Sequence, residues 1–446
     1  MKRKAIVAAL GLASASLVTT SSNATDGYFS HGYGLISKGM GGASTATAQD
    51  TFGGATNPAK MVFVGDRIDF GIDFFSPQRS ASRSGSAPAL NIDGSSDSDS
   101  TLFEIPEFGY NKLINPKFAL GVSVYGNGGM NTDYPGGEVS AASACAAPAF
   151  GGNTGPFNML CGTGRLGVDL SQVVIAPTAS YKVSDTQAIG IAPLFGYQRF
   201  KAEGLQAFAG FSTSPSNMTN QGYDTASGWG ARIGWLGKVT DTLTLGAAYS
   251  TKVAMSKFDK YKGLFAEQGG FDMPENYNVG LAFTASPTLR IAADYQRINY
   301  GGVKSVGNSS SLLLNCAGGD TSSCLGGSNG AGFGWQNINV WKLGVEYLYN
   351  DQLTLRGGYN HSDNPIRSQD VTINILAPGV VQDHLTLGLT YLTQSKGELT
   401  FAYMHAFKNS VSGPSFFNNF TGGAPAGNET IQMYENSFGV AYGWKM

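Results

Sequence analysis

The chain has 446 residues and a formal net charge of −2; only 13% of its residues are charged and 62 are glycine. Soluble domains usually carry roughly 25% charged residues and about 7% glycine. The near-zero charge argues against a nucleic-acid partner, and 26 Phe with 20 Tyr argue against a disordered chain. No apolar run reaches the ~18–20 residues of a membrane helix. An all-β architecture is what remains.

In chain order, Lys2, Arg3 and Lys4 form a basic head, residues 5–18 are small and apolar, and Ser22, Asn23 and Ala24 suit a cleavage site. This is the pattern of a secretory signal peptide over residues 1–24, cut near Ala24. Residues 25–65 do not alternate and contain Gly39, Gly41, Gly42, Gly53 and Gly54. Such a small, weakly polar segment ahead of a barrel lies either free or inside it. The width of a large barrel favours a plug, or hatch, over residues 25–65.

From residue 66 onward the pattern has period two. Near-copies recur: LTLGAAY at 243–249, LRIAADY at 289–295, LTLRGGY at 353–359 and LTLGLTY at 385–391. One face is large and apolar, the other tiny or polar. A soluble sandwich puts Lys, Glu and Thr on its second face. An apolar exterior, a small or polar lumen and terminal aromatics instead describe a membrane β-barrel. Polar turns fall at Asn115-Pro116, Ser184-Asp185, Thr240-Asp241, Ser286-Pro287, Asn350-Asp351 and 395–397. Long Gly/Ser/Asn-rich loops fall near 79–101, 127–167, 201–228, 258–275, 301–336, 361–381 and 409–430. Six turns and seven loops predict fourteen antiparallel strands over 66–446, with the short turns periplasmic.

In the third strand the alternation of residues 118–124 stops at Tyr125, and Gly126, Asn127, Gly128 and Gly129 follow. Glycines inside a strand mark a bend or bulge; here they also suit the start of the second long loop. The cysteines form two local pairs in loops, without zinc spacing. In an oxidising compartment we expect the staples Cys145–Cys161 and Cys316–Cys324, although spacing does not fix connectivity. Apolar clusters sit in the loops: Leu205, Phe208 and Phe211; Tyr261, Leu264 and Phe265; Phe150, Phe157, Met159 and Leu160. Such clusters are costly outside without a purpose, and are expected to form either a substrate-landing groove or a loop core.

Strand parity puts Asp69, Asp73, Glu107, Lys182, Arg232, Arg290, Asp294, Lys342, Glu346 and Arg356 on the lumen side. Mixed charges there either pair to hold a hatch, or leave a cation such as Arg290 or Arg356 to hold a carboxylate head group. No catalytic Ser-His arrangement stands out. His361, Asp363, Asp370 and His384 flank one loop, but no metal, cofactor or enzymatic activity is expected.

Four features resemble the FadL family of outer-membrane transporters for long-chain fatty acids and aromatic hydrocarbons. GYGLISKGMGGA at 32–43, continuing through Asp50 to Asn57, Pro58 and Ala59, resembles the family's hatch with its Asn-Pro-Ala motif. Met273-Pro274 before YNVGL at 277–281 is similar to a mid-barrel strand start. LGVEY at 343–347 with LTLRGGY and Pro365 is similar to a family hairpin. The fourth feature is the strand count. The C-terminus departs from the usual terminal aromatic, since Lys445 and Met446 follow Trp444. The resemblance implies passive uptake: capture by extracellular loops, transfer to a barrel site, and lateral exit at a third-strand kink near Gly126, Asn127 and Gly128 when the hatch shifts. It also implies a monomer in the bacterial outer membrane, with a hydrophobic substrate, membrane lipid, lipopolysaccharide and the barrel-assembly machinery as partners. A general diffusion porin is the alternative.

Overall fold

Fourteen long antiparallel strands close into one wall in the computed structural model, which describes residues 26–150 and 152–446. The signal-peptide segment lies outside the described residues. The strands are β1 (Arg67–Ser86), β2 (Phe103–Asn115), β3 (Phe118–Tyr134), β4 (Leu166–Lys182), β5 (Gln187–Glu203), β6 (Asp224–Lys238) and β7 (Leu243–Ser250). Then come β8 (Asn276–Ser286), β9 (Leu289–Ile298), β10 (Ile338–Asn350), β11 (Leu353–Ser362), β12 (Asp383–Leu392), β13 (Gly397–Pro414) and β14 (Ala426–Lys445). β14 returns to β1, from Arg67↔Lys445 to Ser86↔Ala426. That closure leaves no open edge, which a wall in hydrocarbon requires. Two short strands, Gly94–Asp97 and Ala254–Met255, lie off the wall against β1 and β6.

All six expected turns join neighbouring strands, while several strands run further into the loops than alternation suggested. β1 extends to Ser86 and β3 to Tyr134 because polar residues continue the ladder there. Outward positions such as Phe283, Leu343, Leu385 and Leu387 are exposed, whereas inward Ala282, Ala292 and Thr386 are buried. Tyr277, Tyr295 and Trp341 form part of an aromatic belt, with 4.7 Å between the Tyr295 and Trp341 rings. This is the expected surface toward lipid, with aromatics at its rim.

The N-terminal hatch fills the lumen, and its close approach explains the tiny inward residues. A Cβ on Gly358 of β11 would lie 2.1 Å from the Gly41 nitrogen, so only glycine lets the hatch backbone sit there.

Candidate functional site

The lumen charges hold the hatch. Lys38 is paired with Asp73 of β1, both buried. Glu107 of β2 accepts from the Gly34 and Leu35 amides at 3.2 and 3.1 Å. Asp294 of β9 accepts from the Ser44 and Thr45 amides, and Asp69 from Thr51. Arg232 donates to the Gly54 carbonyl and Lys342 to the His31 carbonyl, both at 2.8 Å, while the Lys182 ammonium lies over the Phe63 ring. Asn57 starts a short turn at Pro58: its Oδ1 accepts from the Ala59 amide, and its Nδ2 donates to Thr45 O and to Trp235 O of β6.

Arg290 and Arg356 are both paired, as one of the two expectations for the lumen charges describes. Both engage Glu346, at 3.0 and 2.9 Å, and Arg356 also donates to Thr390. Register places Glu346 opposite each of them on adjacent strands near the short turns.

The wall changes character at β3. Its ladder with β2 runs only from Asn115↔Phe118 to Phe108↔Val124. Beyond that, β3 continues to Tyr134 paired with β4 alone, with a bulge between Gly126 and Gly128. The glycines therefore interrupt a continuing strand rather than begin a loop. Every residue from 125 to 132 is buried, so neither face there meets lipid. The N-terminal segment occupies the vacated edge: Phe29 bridges to Gly128, Ser30 N donates to Asn127 O, and Gly129 N donates to Tyr28 O at 3.1 Å. Asn127 also receives the Tyr33 hydroxyl and donates to Gln172.

The loop clusters are interior and pack as a loop core. Phe150, Phe157, Met159, Leu160, Leu205, Phe208, Tyr261, Leu264 and Phe265 are buried in one apolar cluster, with Phe211 packed against it. Two sets of rings stand out. Phe208 and Phe211 meet Phe416, and Phe417 meets Phe150 and Phe208. The second set is a chain: Phe200 to Phe265 at 4.6 Å, Phe265 to Phe271 at 4.8 Å, Phe271 to Tyr28 at 6.2 Å, and Tyr28 to Tyr300 at 4.9 Å. Trp335 closes it, 5.2 Å from Tyr300. The chain thus leads from the loop core to the β3 bulge. Tyr261 borders it; burial pushes its phenol up in pKa, so it stays a neutral donor to Gly222 O.

Cys145 is bonded to Cys161 and Cys316 to Cys324. The residues of the His/Asp loop cluster do not converge: His361 meets Asp383, Asp363 meets Asn339, Asp370 meets Arg367, and His384 is buried on the lumen side. Neither alternation nor turn chemistry singles out Tyr28, Phe29, Tyr300 or Trp335. The only sequence signal for the first two was an aromatic pair opening a segment of small residues.

A family profile described as outer membrane protein transport protein (OMPP1/FadL/TodX) matches residues 158–428. Among solved structures, the P. putida toluene transporter TodX is similar with a TM-score of 0.66 at 19% identity, over 93% of this chain and 99% of its own. The Ralstonia pickettii toluene transporter TbuX gives 0.61 at 18%, over 93% and 99%. A Pseudomonas aeruginosa FadL homologue gives 0.65 at 15%, over 94% and 99%. At such identities the likeness shows the fold. No curated protein sequence matches the chain.

Proposed function

Because the chain belongs to the OMPP1/FadL/TodX family of outer-membrane transport proteins, we propose that it carries a hydrophobic compound, a long-chain fatty acid or an aromatic hydrocarbon, passively inward. The substrate enters the aromatic core beneath the extracellular loops, passes along the ring chain to Tyr28, and leaves sideways where β3 parts from β2. The ring chain supports this reading: it joins the loop core to a place where the N-terminal segment stands in for wall pairing. An apolar solute gains nothing from a water-filled pore but gains from successive apolar contacts. Release requires that residues 28–30 withdraw from Asn127 and Gly129 and that the buried Tyr28 and Phe29 rings leave Tyr300 and Trp335. A diffusion porin needs an open lumen, which the hatch occupies.

The test is uptake of labelled toluene and labelled oleate by cells lacking their own transporter. Uptake of either supports the reading and names the class. Uptake of neither, with free passage of hydrophilic antibiotics, returns the porin alternative.

A further inference from the structure

Toward the loops, the outer face of several strands turns neutral or acidic once the apolar run ends. The next outward residue is Glu104 on β2, Asn339 on β10 and Asp383 on β12, and Glu275 stands just before β8. β9 carries one cation there, Arg297, which is bonded to Asn339. β5 differs: its outward residues Ile191, Phe195 and Tyr197 are followed by Arg199 and then Lys201. Both cations lie against Tyr223, the residue before β6. The Arg199 guanidinium is 4.2 Å and the Lys201 ammonium 5.6 Å from its ring centre. Lys260, from the loop after the short strand Ala254–Met255, donates its ammonium to the Tyr223 carbonyl at 2.7 Å. Lys257 of the same loop is exposed and has no ion-pair partner among the described residues.

Four carboxylates share this corner. Asp169 is covered and accepts from the Tyr223 hydroxyl, 3.9 Å from Arg199; Glu203 takes Lys201 at 3.2 Å; Asp224 accepts the Lys260 amide; and Asp259 precedes Lys260 in the loop. None accepts a hydrogen bond from Arg199, whose Nη2 is buried without a partner. A guanidinium that lays its face on a tyrosine and keeps its donors unspent is ready to receive an anion. Directly beneath, toward the short turns, the wall is apolar: register sets Phe195 beside Trp229 and Ile191 beside Ile233, all four exposed.

We propose that this corner is a docking site for a phosphorylated glycolipid of the outer leaflet, lipid A. A phosphate lies on Arg199 and Lys201, and the acyl chains run down Phe195, Trp229 and Ile233. Phosphate matches the guanidinium fork, taking two parallel N–H bonds from it. A zwitterionic phospholipid brings an ammonium to a place that already holds four cations. A free anion answers the cations but makes no use of the exposed rings below them. One molecule bearing both phosphate and several chains meets both surfaces. The inference needs only the outer-membrane setting of the family and is independent of which compound the barrel carries.

The test measures binding of bisphosphorylated lipid A and of its phosphate-free form to the detergent-extracted barrel by native mass spectrometry. Each cation near an anionic lipid contributes about fivefold in affinity, so the bisphosphorylated form should bind about 25-fold tighter. Arg199→Gln and Lys201→Gln should each remove about fivefold of that preference, while Arg297→Gln, at the other cationic position described, leaves it unchanged. Heat-modifiable migration on gels checks that each variant assembles, and if one of the pair does not, the other carries the test. Equal binding of the two lipid forms overturns the site, as does a preference that survives both substitutions. Displacement of lipid A by an equal concentration of inorganic phosphate assigns the corner to a free anion and overturns the lipid. Uptake measurements decide the transport reading separately, so the two failures are distinct.

Discussion

Phe29 pairs antiparallel with Gly128, and the bridge stands where β3 has lost its β2 neighbour. A Cβ on Gly128 would fall 1.7 Å from the Tyr28 carbonyl oxygen, a distance no side chain tolerates. Gly128→Val therefore expels residues 28–30 from the wall while leaving the β3–β4 ladder in place. The expected outcome is normal barrel assembly and rapid hydrogen exchange at the Ser30 amide, whose bond to Asn127 O is lost. Slow exchange at Ser30 in the variant would show that the bridge is not what holds the segment.

The Lys38–Asp73 pair is a buried ionic tie between hatch and wall, reinforced by the Ser437 hydroxyl donating to Asp73 at 2.6 Å. Removing one partner of such a pair strands a buried charge and costs about 3–5 kcal/mol. Lys38→Met is expected to loosen the hatch and admit small hydrophilic antibiotics, seen as a lowered inhibitory concentration. The double variant Lys38→Met with Asp73→Leu strands no charge and should leak less than the single one. A double variant as leaky as Lys38→Met contradicts the pairing argument.

Asn57 is an anchor by virtue of three separate bonds, one through Oδ1 and two through Nδ2. Asn57→Asp keeps the Oδ1 cap but aims a carboxylate oxygen at the Thr45 and Trp235 carbonyls. It should loosen the hatch more than Asn57→Ser, which keeps a capping oxygen and introduces no repulsion. Hydrogen exchange across residues 45–60 measures the difference, and the reverse order would assign Asn57 a role other than tying hatch to wall.

Much of this was legible in the residues, and the part that was not has a physical reason. Alternation at 243–249 or 385–391 reports which face meets lipid, because that property is local. Parity likewise places Glu346, Arg290 and Arg356 inward. That one carboxylate takes both guanidinium groups depends on register across three strands, which no single strand encodes. The parting of β2 from β3 is still less local. Residues 103–107 look like any strand, and nothing in them signals that Tyr28 and Phe29, from before β1, take the place beside β3. The loop aromatics announce apolar clusters but not their direction. Phe265 turns inward because Phe200 of β5 and Phe271 offer it a buried seat.

That inward seat separates two loop aromatics that composition treats alike. Phe265 belongs to the ring chain that reaches Tyr28, whereas Phe208 packs with Phe416 and Phe417 at the far side of the loop core. Truncating either buried ring costs about 3–5 kcal/mol of local packing, so loss of loop order alone predicts similar effects on uptake. A route along the ring chain predicts unlike ones. Phe265→Ser should raise the concentration for half-maximal uptake several times more than Phe208→Ser, with both barrels folded. If the two substitutions shift uptake equally, the loop core serves as a lid over the lumen and the ring chain is not the path.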